Sequence, residues 1–255
     1  MPHFIPPDLL NRRVEISLAG VGGNGSQMLT GLARLNHALT ELGHPGLKVR
    51  SYDPDTVSES NIGRQLFSRV DVGASKAHVL TNRINAFFGS DWQSHFGRYD
   101  ADSMPDILIM CVDSAKARHD IHRSLRKFKA QYLLDLGNRA SDGQVVFGQV
   151  MPTHDLTKFP EGHVALASPY EILPELIDIT KPEDDAPSCG LAEALERQEL
   201  FINQAVVTPA LNILWEFFRY GRLTWHGAFV NLRTGSMRPL MVKDAQPAEE
   251  IQITV

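Results

Sequence analysis

The sequence predicts an α/β fold, with a mostly parallel sheet, helices on both faces and a C-terminal antiparallel portion. Strand-like apolar runs alternate with segments of helical periodicity through residues 14–136, and this alternation is typical of parallel β-α-β units. The first of these runs ends in a glycine loop that opens a helix, as it does in parallel sheets that bind ligands at the carboxyl ends of their strands. Near the C-terminus, two strand-like runs flank a short turn, which predicts a hairpin and hence the antiparallel portion.

In chain order, the first half is predicted to contain four strands and three helices. The strands are expected at 14–19, 47–52, 107–112 and 132–136, and the helices at 24–42, 74–88 and 115–128. Apolar residues in the helical segments recur at intervals of three and four, which gives each helix one apolar side. This order of elements is that of a Rossmann-like sheet.

The second half has a different pattern. A strand is predicted at 144–151, a long crossover segment rich in Pro, Asp and Glu at 152–187, and a closing hairpin at 226–232 and 236–242. Residues 191–220 predict one long helix. We expect a kink near Pro209, because proline removes a helical hydrogen bond.

Composition excludes several classes of protein. The chain has 255 residues, a net charge of −5 and no long basic run, which argues against a nucleic-acid-binding surface. Its longest apolar run, 107–112, is too short to span a membrane. The N-terminus lacks the basic and apolar pattern of a signal peptide, so a cytoplasmic protein is expected. Two cysteines cannot form a disulfide framework or a four-cysteine zinc site, and no zinc is predicted.

The glycine loop is the first candidate for a binding element. Gly20 permits a sharp exit from the strand, Gly22 and the adjacent Gly23 allow phosphate to approach the backbone, and Gly25 allows the helix to pack closely. The same pattern satisfies the dinucleotide fingerprint, and a tight turn without a ligand would also explain it. The loop alone therefore indicates phosphate binding without identifying the ligand.

The polar block after the second predicted strand narrows the choice of ligand. Asp53 lies where an acidic side chain hydrogen-bonds ribose hydroxyls, with Asp55 beside it. An NAD site expects this acid about 20 residues beyond the loop, whereas Asp53 comes later. Asn61, Arg64 and Gln65 add fixed donors and a positive charge, although a solvated loop is the simpler alternative. Together they favour a nucleoside triphosphate over a dinucleotide.

Two further charged residues are expected at the same edge of the sheet. Lys76 begins a predicted helix, where the helix dipole disfavours a cation unless an anion lies nearby. Asp113 follows the strand at 107–112, so it lies at the carboxyl edge and is a candidate ligand for Mg²⁺. Alternatively, Asp113 or Ser114 caps the helix that follows.

These stretches together resemble the ThiF-type adenylyltransferases, a superfamily that includes ubiquitin-activating enzymes and bacterial activators of sulfur-carrier proteins. The resemblance rests on residues 20–25, 53–65, 73–76 and 111–114. It implies a single adenylation domain over 1–255, with its nucleotide-binding core at 14–150, the crossover at 152–187 and a C-terminal helix and hairpin at 188–242. It also implies that ATP and Mg²⁺ are used to adenylate the C-terminal carboxylate of a small ubiquitin-like protein ending in glycine.

The resemblance also implies residue roles. Asp53 would contact ribose, and Asn61, Arg64 and Lys76 would contact the triphosphate. Asp113 would be the magnesium carboxylate, while Gln65 fits the motif without a defined role. A carboxylate nucleophile is already ionised at neutral pH, so no general base is required. Charge stabilisation by Arg64, Lys76 and the metal would suffice for catalysis.

A narrower resemblance concerns the stretches 53–55, 64–67 and 187–198. They are similar to the ThiF-family protein of the bacterial PRTRC cassette, which also encodes a ubiquitin-like protein. The family resemblance further implies a homodimer. In several relatives, a longer N-terminal segment supplies an arginine to the neighbouring subunit; here only Arg12 or Arg13 is available for that role.

Cys189 is a candidate catalytic thiol. It precedes the predicted helix at 191–220, where the helix dipole would lower the pKa of a thiol and favour a thioester intermediate. Acidic residues at 183–185 oppose that shift, and a small buried cysteine that packs the helix start is the alternative. Cys111, within an apolar run, is expected in the core.

Three other functions are compatible with the sequence. A sulfur-carrier-activating adenylyltransferase would share the adenylation step but form no thioester. An NAD-dependent oxidoreductase would use the glycine loop and Asp53 but would leave Arg64 and Lys76 without a role. A non-catalytic subunit of a heterodimeric activating enzyme should have lost some ATP-binding residues, and none is visibly lost.

Overall fold

An eight-stranded sheet forms the centre of the computed structural model, which describes residues 1–100, 105–125, 131–150, 159–180 and 198–242. Its strand order is β10-β9-β7-β6-β5-β2-β3-β4, and β1 pairs separately with β8. The strands are β1 His3–Phe4, β2 Val14–Ala19, β3 Leu47–Asp53, β4 Gln93–Phe96, β5 Ile107–Met110, β6 Tyr132–Asn138, β7 Asp142–Gln149, β8 Arg222–Leu223, β9 Trp225–Asn231 and β10 Ser236–Met241. The α-helices are α1 Asp8–Asn11, α2 Gly23–Glu41, α3 Lys76–Phe88, α4 Ala115–Leu125, α5 Pro169–Ile172 and α6 Ile202–Tyr220.

The sheet has a parallel half and an antiparallel half. Strands β6, β5, β2, β3 and β4 are joined by parallel pairings. Strands β7, β9 and β10 extend the sheet by antiparallel pairings from the β6 edge. The predicted fold class is therefore confirmed, including its C-terminal antiparallel portion.

Helices cover both faces of the sheet, as the burial of β5 demonstrates. All four residues of β5 are buried. Ile107 and Ile109 face the larger core with α2, α3 and α6, whereas Leu108 and Met110 face a second core with α4 and α5. A strand covered on both faces reads as a continuous apolar run, and for this reason the sequence predicted it correctly.

Helix α6 differs from the prediction of one helix over 191–220. It begins at Ile202, and residues 191–197 lie outside the described part of the chain. The residues just before it are held in a turn, because the Glu199 N–H donates to the Ala140 carbonyl at 2.8 Å and its own carbonyl accepts from the Ile202 N–H. Pro209 lies inside the helix and is buried.

The sequence did not predict β1, β4 and β8. Strand β4 is at the edge of the sheet and most of its residues are exposed, so it has no apolar alternation. Strands β1 and β8 have only two residues each. From the predicted crossover, residues 159–180 are described and contain α5 and a 3₁₀ turn at Pro174–Ile177. None of the described helices is long and apolar enough to cross a membrane.

Candidate active site

A cavity of about 1350 Å³ runs along the carboxyl ends of the parallel strands and continues over the antiparallel strands. Most of the residues that the sequence singled out lie on its wall. Those that line it are Gly20, Gly22, Gly23, Asp53, Asp55, Arg64, Gln65, Lys76 and Asp113. Gly25 and Asn61 are absent from its lining. Cys189 lies outside the described residues.

The glycine loop has two kinds of glycine. Gly20 has φ +88°, and a Cβ there would lie 2.7 Å from the Cys111 carbonyl oxygen, so both its conformation and its contact exclude a side chain. A Cβ on Gly25 would lie 1.9 Å from the Gly20 carbonyl oxygen. Gly25 therefore allows helix α2 to pack against the loop, while Gly20, Gly22 and Gly23 border the cavity.

Asp53 ends β3 and is buried. Its carboxylate accepts from the Val21 N–H at 2.6 Å and from the Asp55 N–H at 2.8 Å. Burial raises the pKa of Asp53, and these two hydrogen bonds oppose that rise. The side chain is thus fixed at the junction between the glycine loop and the β3 end, where it faces the cavity.

Lys76 has an anionic partner within the protein. Its Nζ lies 3.0 Å from Asp55 Oδ2, and only 9% of the Lys76 side chain is exposed, against 63% for Asp55. The Lys76 N–H also donates to the Asp55 carbonyl. The anion that the sequence suggested near this helix start is supplied, at least in part, by Asp55. The pair lies on the cavity wall.

Arg64 differs from this pair because its partner is uncharged. Its Nη1 donates to Gln198 Oε1 at 2.6 Å, and its buried Nε has no hydrogen-bond partner. Among the described residues, no carboxylate lies within 4.0 Å of it to form an ion pair. Burial lowers the pKa of Arg64, because desolvation disfavours the charged form of the guanidinium. An anion in the cavity would stabilise that form.

Gln65 and Asn61 are both buried but face different environments. Gln65 lines the cavity, and its Oε1 has no hydrogen-bond partner. Asn61 ends the 3₁₀ turn Glu59–Asn61, and its Oδ1 accepts from the Ser58 N–H at 2.9 Å. That contact stabilises the turn just before Arg64 and away from the cavity wall.

Asp113 is exposed and lines the cavity next to the start of α4. Of the two residues that could cap α4, Ser114 makes the capping contact, because its Oγ accepts a hydrogen bond from the Ala117 N–H at 3.1 Å. The described residues contain no cluster of three or more His, Cys, Asp or Glu side chains that could hold a metal alone. Mg²⁺ commonly binds through one or two carboxylates together with substrate phosphates, and Asp113 fits that arrangement.

A buried ion pair beside Asp113 was not predicted. Arg118 Nε lies 3.0 Å from Asp135 Oδ2, and the same oxygen accepts from Tyr170 Oη at 3.0 Å. Arg118 Nη1 also donates to the Asp113 carbonyl at 3.3 Å. A sequence signal existed, since Asp135 interrupts an apolar strand and Arg118 shares the apolar side of α4 with Ile121.

An amide cluster on the cavity wall was also missed. Asn203 Nδ2, on α6, donates to Asn24 Oδ1 at 2.8 Å and to Asn138 Oδ1 at 3.1 Å. Asn24 lies in the first turn of α2, and Asn138 ends β6. The cluster ties α6 to the glycine loop. No local pattern could have indicated it, because 179 residues separate Asn24 from Asn203.

Arg12 and Arg13, the two arginines considered for a role in a neighbouring subunit, form ion pairs within the chain. Arg12 pairs with Asp106 and Arg13 with Asp91, and both arginines lie just before the amino end of β2. Cys111 follows β5 instead of lying within it, and it reaches the cavity wall only half-buried. Burial raises the pKa of its thiol, so the thiol is protonated at neutral pH.

Comparison with known proteins identifies the family. Residues 10–248 match the model of the ThiF family. The chain belongs to the ThiF family. A relative of this ThiF protein is the Nedd8-activating enzyme E1 catalytic subunit of Drosophila melanogaster, 38% identical over 195 residues. The match covers 72% of this chain and 40% of the relative.

Solved structures share the fold of this ThiF-family chain at low sequence identity. The crystal structure of PaaA superposes with a TM-score of 0.58 at 15% identity, covering 90% of this chain and 64% of PaaA. The crystal structure of E. coli MccB gives a TM-score of 0.56 at 15% identity, covering 92% of this chain and 63% of MccB. The chain therefore spans less than two thirds of each of these three relatives.

The cavity of this ThiF-family protein combines two environments. Its first half, at the parallel strands, contains the glycine loop, the Arg64 guanidinium and the carboxylate of Asp113. Its second half lies over β7, β9 and β10 and is lined by Gln144, Phe229 and Arg238. The first half therefore presents backbone N–H groups, a guanidinium and a carboxylate to one cavity, and the cavity extends beyond them over the antiparallel strands.

Proposed function

We propose that the chain is an ATP-dependent adenylyltransferase that activates the C-terminal carboxylate of a small ubiquitin-like protein. The observation that carries this proposal is Arg64. Arg64 is half-buried, its Nε is buried without a hydrogen-bond partner, and its Nη1 donates to the neutral side chain of Gln198. It lines the same cavity as the glycine loop and Asp113. Because none of the described carboxylates forms an ion pair with it, an anion in the cavity would be its charge-assisted partner.

The proposed mechanism assigns each side chain a role toward ATP. The backbone of Gly20, Gly22 and Gly23 and the N-terminus of α2 receive the phosphates, because this helix end presents free N–H groups. Asp53 contacts the nucleoside, with Asp55 beside it. Arg64 and Lys76 stabilise negative charge on the phosphates, and Gln65 lines the same cavity next to Gly22. Asn61 supports this site through the turn that it closes.

The substrate carboxylate attacks the α-phosphorus without help from a base, since it is ionised at neutral pH. A bond forms between a carboxylate oxygen and phosphorus, the bond to the bridging oxygen breaks, and pyrophosphate leaves. Asp113 would hold Mg²⁺ together with phosphate oxygens. When bound, the metal would neutralise the charge that develops on the pyrophosphate.

Two observations support a ubiquitin-like protein as the partner. The Drosophila relative is named as a Nedd8-activating enzyme subunit. The cavity also continues past the nucleotide half, over the antiparallel strands, which leaves space for an extended C-terminal peptide. We further propose that the chain forms a single adenylation domain over 1–255, acts as a cytoplasmic homodimer, and is the ThiF-family member of the PRTRC cassette. We also propose that the acyl group is then transferred from AMP to Cys189 as a thioester.

ATP–pyrophosphate exchange tests the adenylation step, with the ubiquitin-like protein of the same cassette as acceptor. We expect exchange only when that protein carries its C-terminal glycine. Arg64→Ala should reduce the rate by about 10²–10³, the typical cost of losing one charge-stabilising donor. Arg69→Ala is the matched control, because Arg69 is exposed in the same loop and absent from the cavity lining.

Two outcomes would contradict the proposal. If Arg64→Ala and Arg69→Ala exchanged ATP and pyrophosphate at equal rates, Arg64 would not be part of the active site. A rise in the thermal unfolding midpoint with NAD⁺ but not with MgATP would instead favour the oxidoreductase. We expect MgATP at about 100 times its Kd to add about 2.7 kcal/mol to the free energy of unfolding, and NAD⁺ to add none.

A further inference from the structure

Gln198 is the only partner of the Arg64 guanidinium for which the described residues show a hydrogen bond. The bond joins Arg64 Nη1 to Gln198 Oε1 at 2.6 Å across 134 residues of sequence. We infer that Gln198 is a positioning residue, which orients Arg64 toward the phosphates through a neutral hydrogen bond instead of an ion pair. This inference rests on the proposed function and extends it to a residue outside the nucleotide-binding half of the chain.

The position of Gln198 is fixed by its neighbours. The adjacent Glu199 N–H donates to the Ala140 carbonyl at 2.8 Å, in the turn between β6 and β7. Five residues later, Asn203 donates to Asn24 in the first turn of α2 at 2.8 Å. Gln198 itself is half-buried and lines the cavity. Its amide is thus placed relative to both the sheet edge and the glycine loop.

The partner of Arg64 at position 198 is a neutral glutamine instead of a carboxylate. Several buried or half-buried cations among the described residues pair with carboxylates, for example Arg118 with Asp135 and Lys76 with Asp55. Gln198 presents an acceptor oxygen of the same shape as that of Glu but without its charge. A glutamate there would form a charge-assisted pair with Arg64 and compete with phosphate for the guanidinium.

A purely structural role and a positioning role predict opposite effects for Gln198→Glu. If Gln198 only anchors the segment before α6, a glutamate should serve at least as well, because it accepts the same hydrogen bond more strongly. If it keeps Arg64 available for phosphate, the same change should weaken nucleotide binding while the fold becomes more stable. Opposite movements of binding and stability are therefore expected under the positioning role, and Gln198→Ala tests that role without adding a negative charge to the cavity.

The experiment measures MgATP binding by calorimetry and the thermal unfolding midpoint for the full chain. We expect Gln198→Glu to raise the Kd for MgATP by about tenfold or more, with an unfolding midpoint equal to or above that of the wild type. Tripolyphosphate should lose affinity in the same proportion, and adenosine should lose none. Gln204→Glu is the matched control, because it adds the same charge on the exposed side of α6 and should bind MgATP like the wild type.

Gln198→Ala adds a second readout that does not depend on the new charge. It should lower the rate of ATP–pyrophosphate exchange more than it raises the KM for ATP, because Arg64 keeps its charge but loses its orientation. A Gln198→Glu variant that binds MgATP as tightly as the wild type would overturn the role of Gln198 alone. A wild type that binds neither MgATP nor tripolyphosphate would overturn the proposed function as well.

Discussion

Gly25 illustrates at the residue scale how a sequence motif can mix ligand contacts with packing contacts. Substituting Gly25→Ala would place a Cβ 1.9 Å from the Gly20 carbonyl oxygen and 3.4 Å from Cys111 Cβ. Because the first neighbour is backbone, the glycine loop itself must move. We expect a loss of about 1–3 kcal/mol or more in the free energy of unfolding, the usual cost of overpacking.

The measurement for Gly25→Ala is urea denaturation. Gly97→Ala is the control, since a Cβ at Gly97 meets nothing within 4 Å and the residue does not have a positive φ. Its free energy of unfolding should change by less than about 0.5 kcal/mol. Equal midpoints for the two variants would contradict the packing role of Gly25.

The sequence predicted the lining of the cavity better than it predicted residue roles. The residues at 20, 53, 64, 76 and 113 do gather on one wall. The sequence alone could not show that Asn61 is absent from this lining. An Asn side chain that can bind a ligand can equally accept a hydrogen bond from a backbone N–H in a turn. Nor could the sequence reveal that Asp55 neutralises Lys76, since that ion pair depends on how the loop folds back.

At the scale of elements, prediction succeeded where burial imposes a pattern. Strands β2, β5 and β6 are mostly apolar because both faces of the sheet are covered there. Edge strand β4 has no such pattern, and the start of α6 depends on the contact between Glu199 and Ala140. Such tertiary contacts override local helix propensity, so the helix begins later than its apolar periodicity suggests.

The docking of β1 makes a prediction about pH. His3 in β1 is buried, with Nδ1 donating to the Val164 carbonyl at 2.7 Å and Nε2 lying 2.9 Å from Tyr132 Oη. Burial lowers the pKa of His3 to about 3, from the 6.5 that is usual for histidine. Between these two values the unfolded chain binds a proton that the folded chain does not. The contribution of neutral His3 to the free energy of unfolding is therefore fully present above pH 6.5 and is lost as the pH falls toward 3.

The expected slope for this single group is about 1.4 kcal/mol per pH unit below pH 6.5. His3→Gln can still donate and accept but does not titrate, so its stability should fall less steeply with pH. Burial also lowers the pKa values of His163 and His226. These two residues contribute the same pH dependence to the wild type and to both variants. The exposed His37→Gln is the control. Urea midpoints at pH 7.5 and 5.0 that change equally in all three proteins would contradict the assignment to His3.

At the scale of the whole molecule, the parallel half of the sheet and its ligand edge follow from the order of elements. Carboxyl ends of parallel strands meet at one edge, so residues after β2, β3 and β5 had to approach one another. Gln198 and Asn203 come from the far end of the chain, and their contacts with Arg64 and Asn24 arise only when α6 packs against α2. No periodicity encodes that arrangement.

The proposed thioester step requires Cys189 to reach the acyl-adenylate in the cavity. Cys189 is nine residues from Thr180 and nine from Gln198 in sequence, and Gln198 contacts Arg64 at the cavity. Nine residues of extended chain reach about 30 Å, so covalent connection allows the thiol to approach an acyl-adenylate. In the proposed step the thiolate sulfur attacks the acyl carbon, a C–S bond forms, the C–O bond to AMP breaks, and AMP leaves.

The thioester makes a prediction that adenylation alone does not. With MgATP and the ubiquitin-like partner, the wild type should form an adduct that an excess of a small thiol cleaves by taking over the acyl group, whereas Cys189→Ala should keep ATP–pyrophosphate exchange and lose the adduct. Cys111→Ser is the control and should retain the adduct, because burial keeps the Cys111 thiol protonated and a poor nucleophile. An adduct that survives in Cys189→Ala, or none in the wild type despite exchange, would make Cys189 structural. The enzyme would then release its acyl-adenylate directly to a downstream acceptor, as a sulfur-carrier activator would.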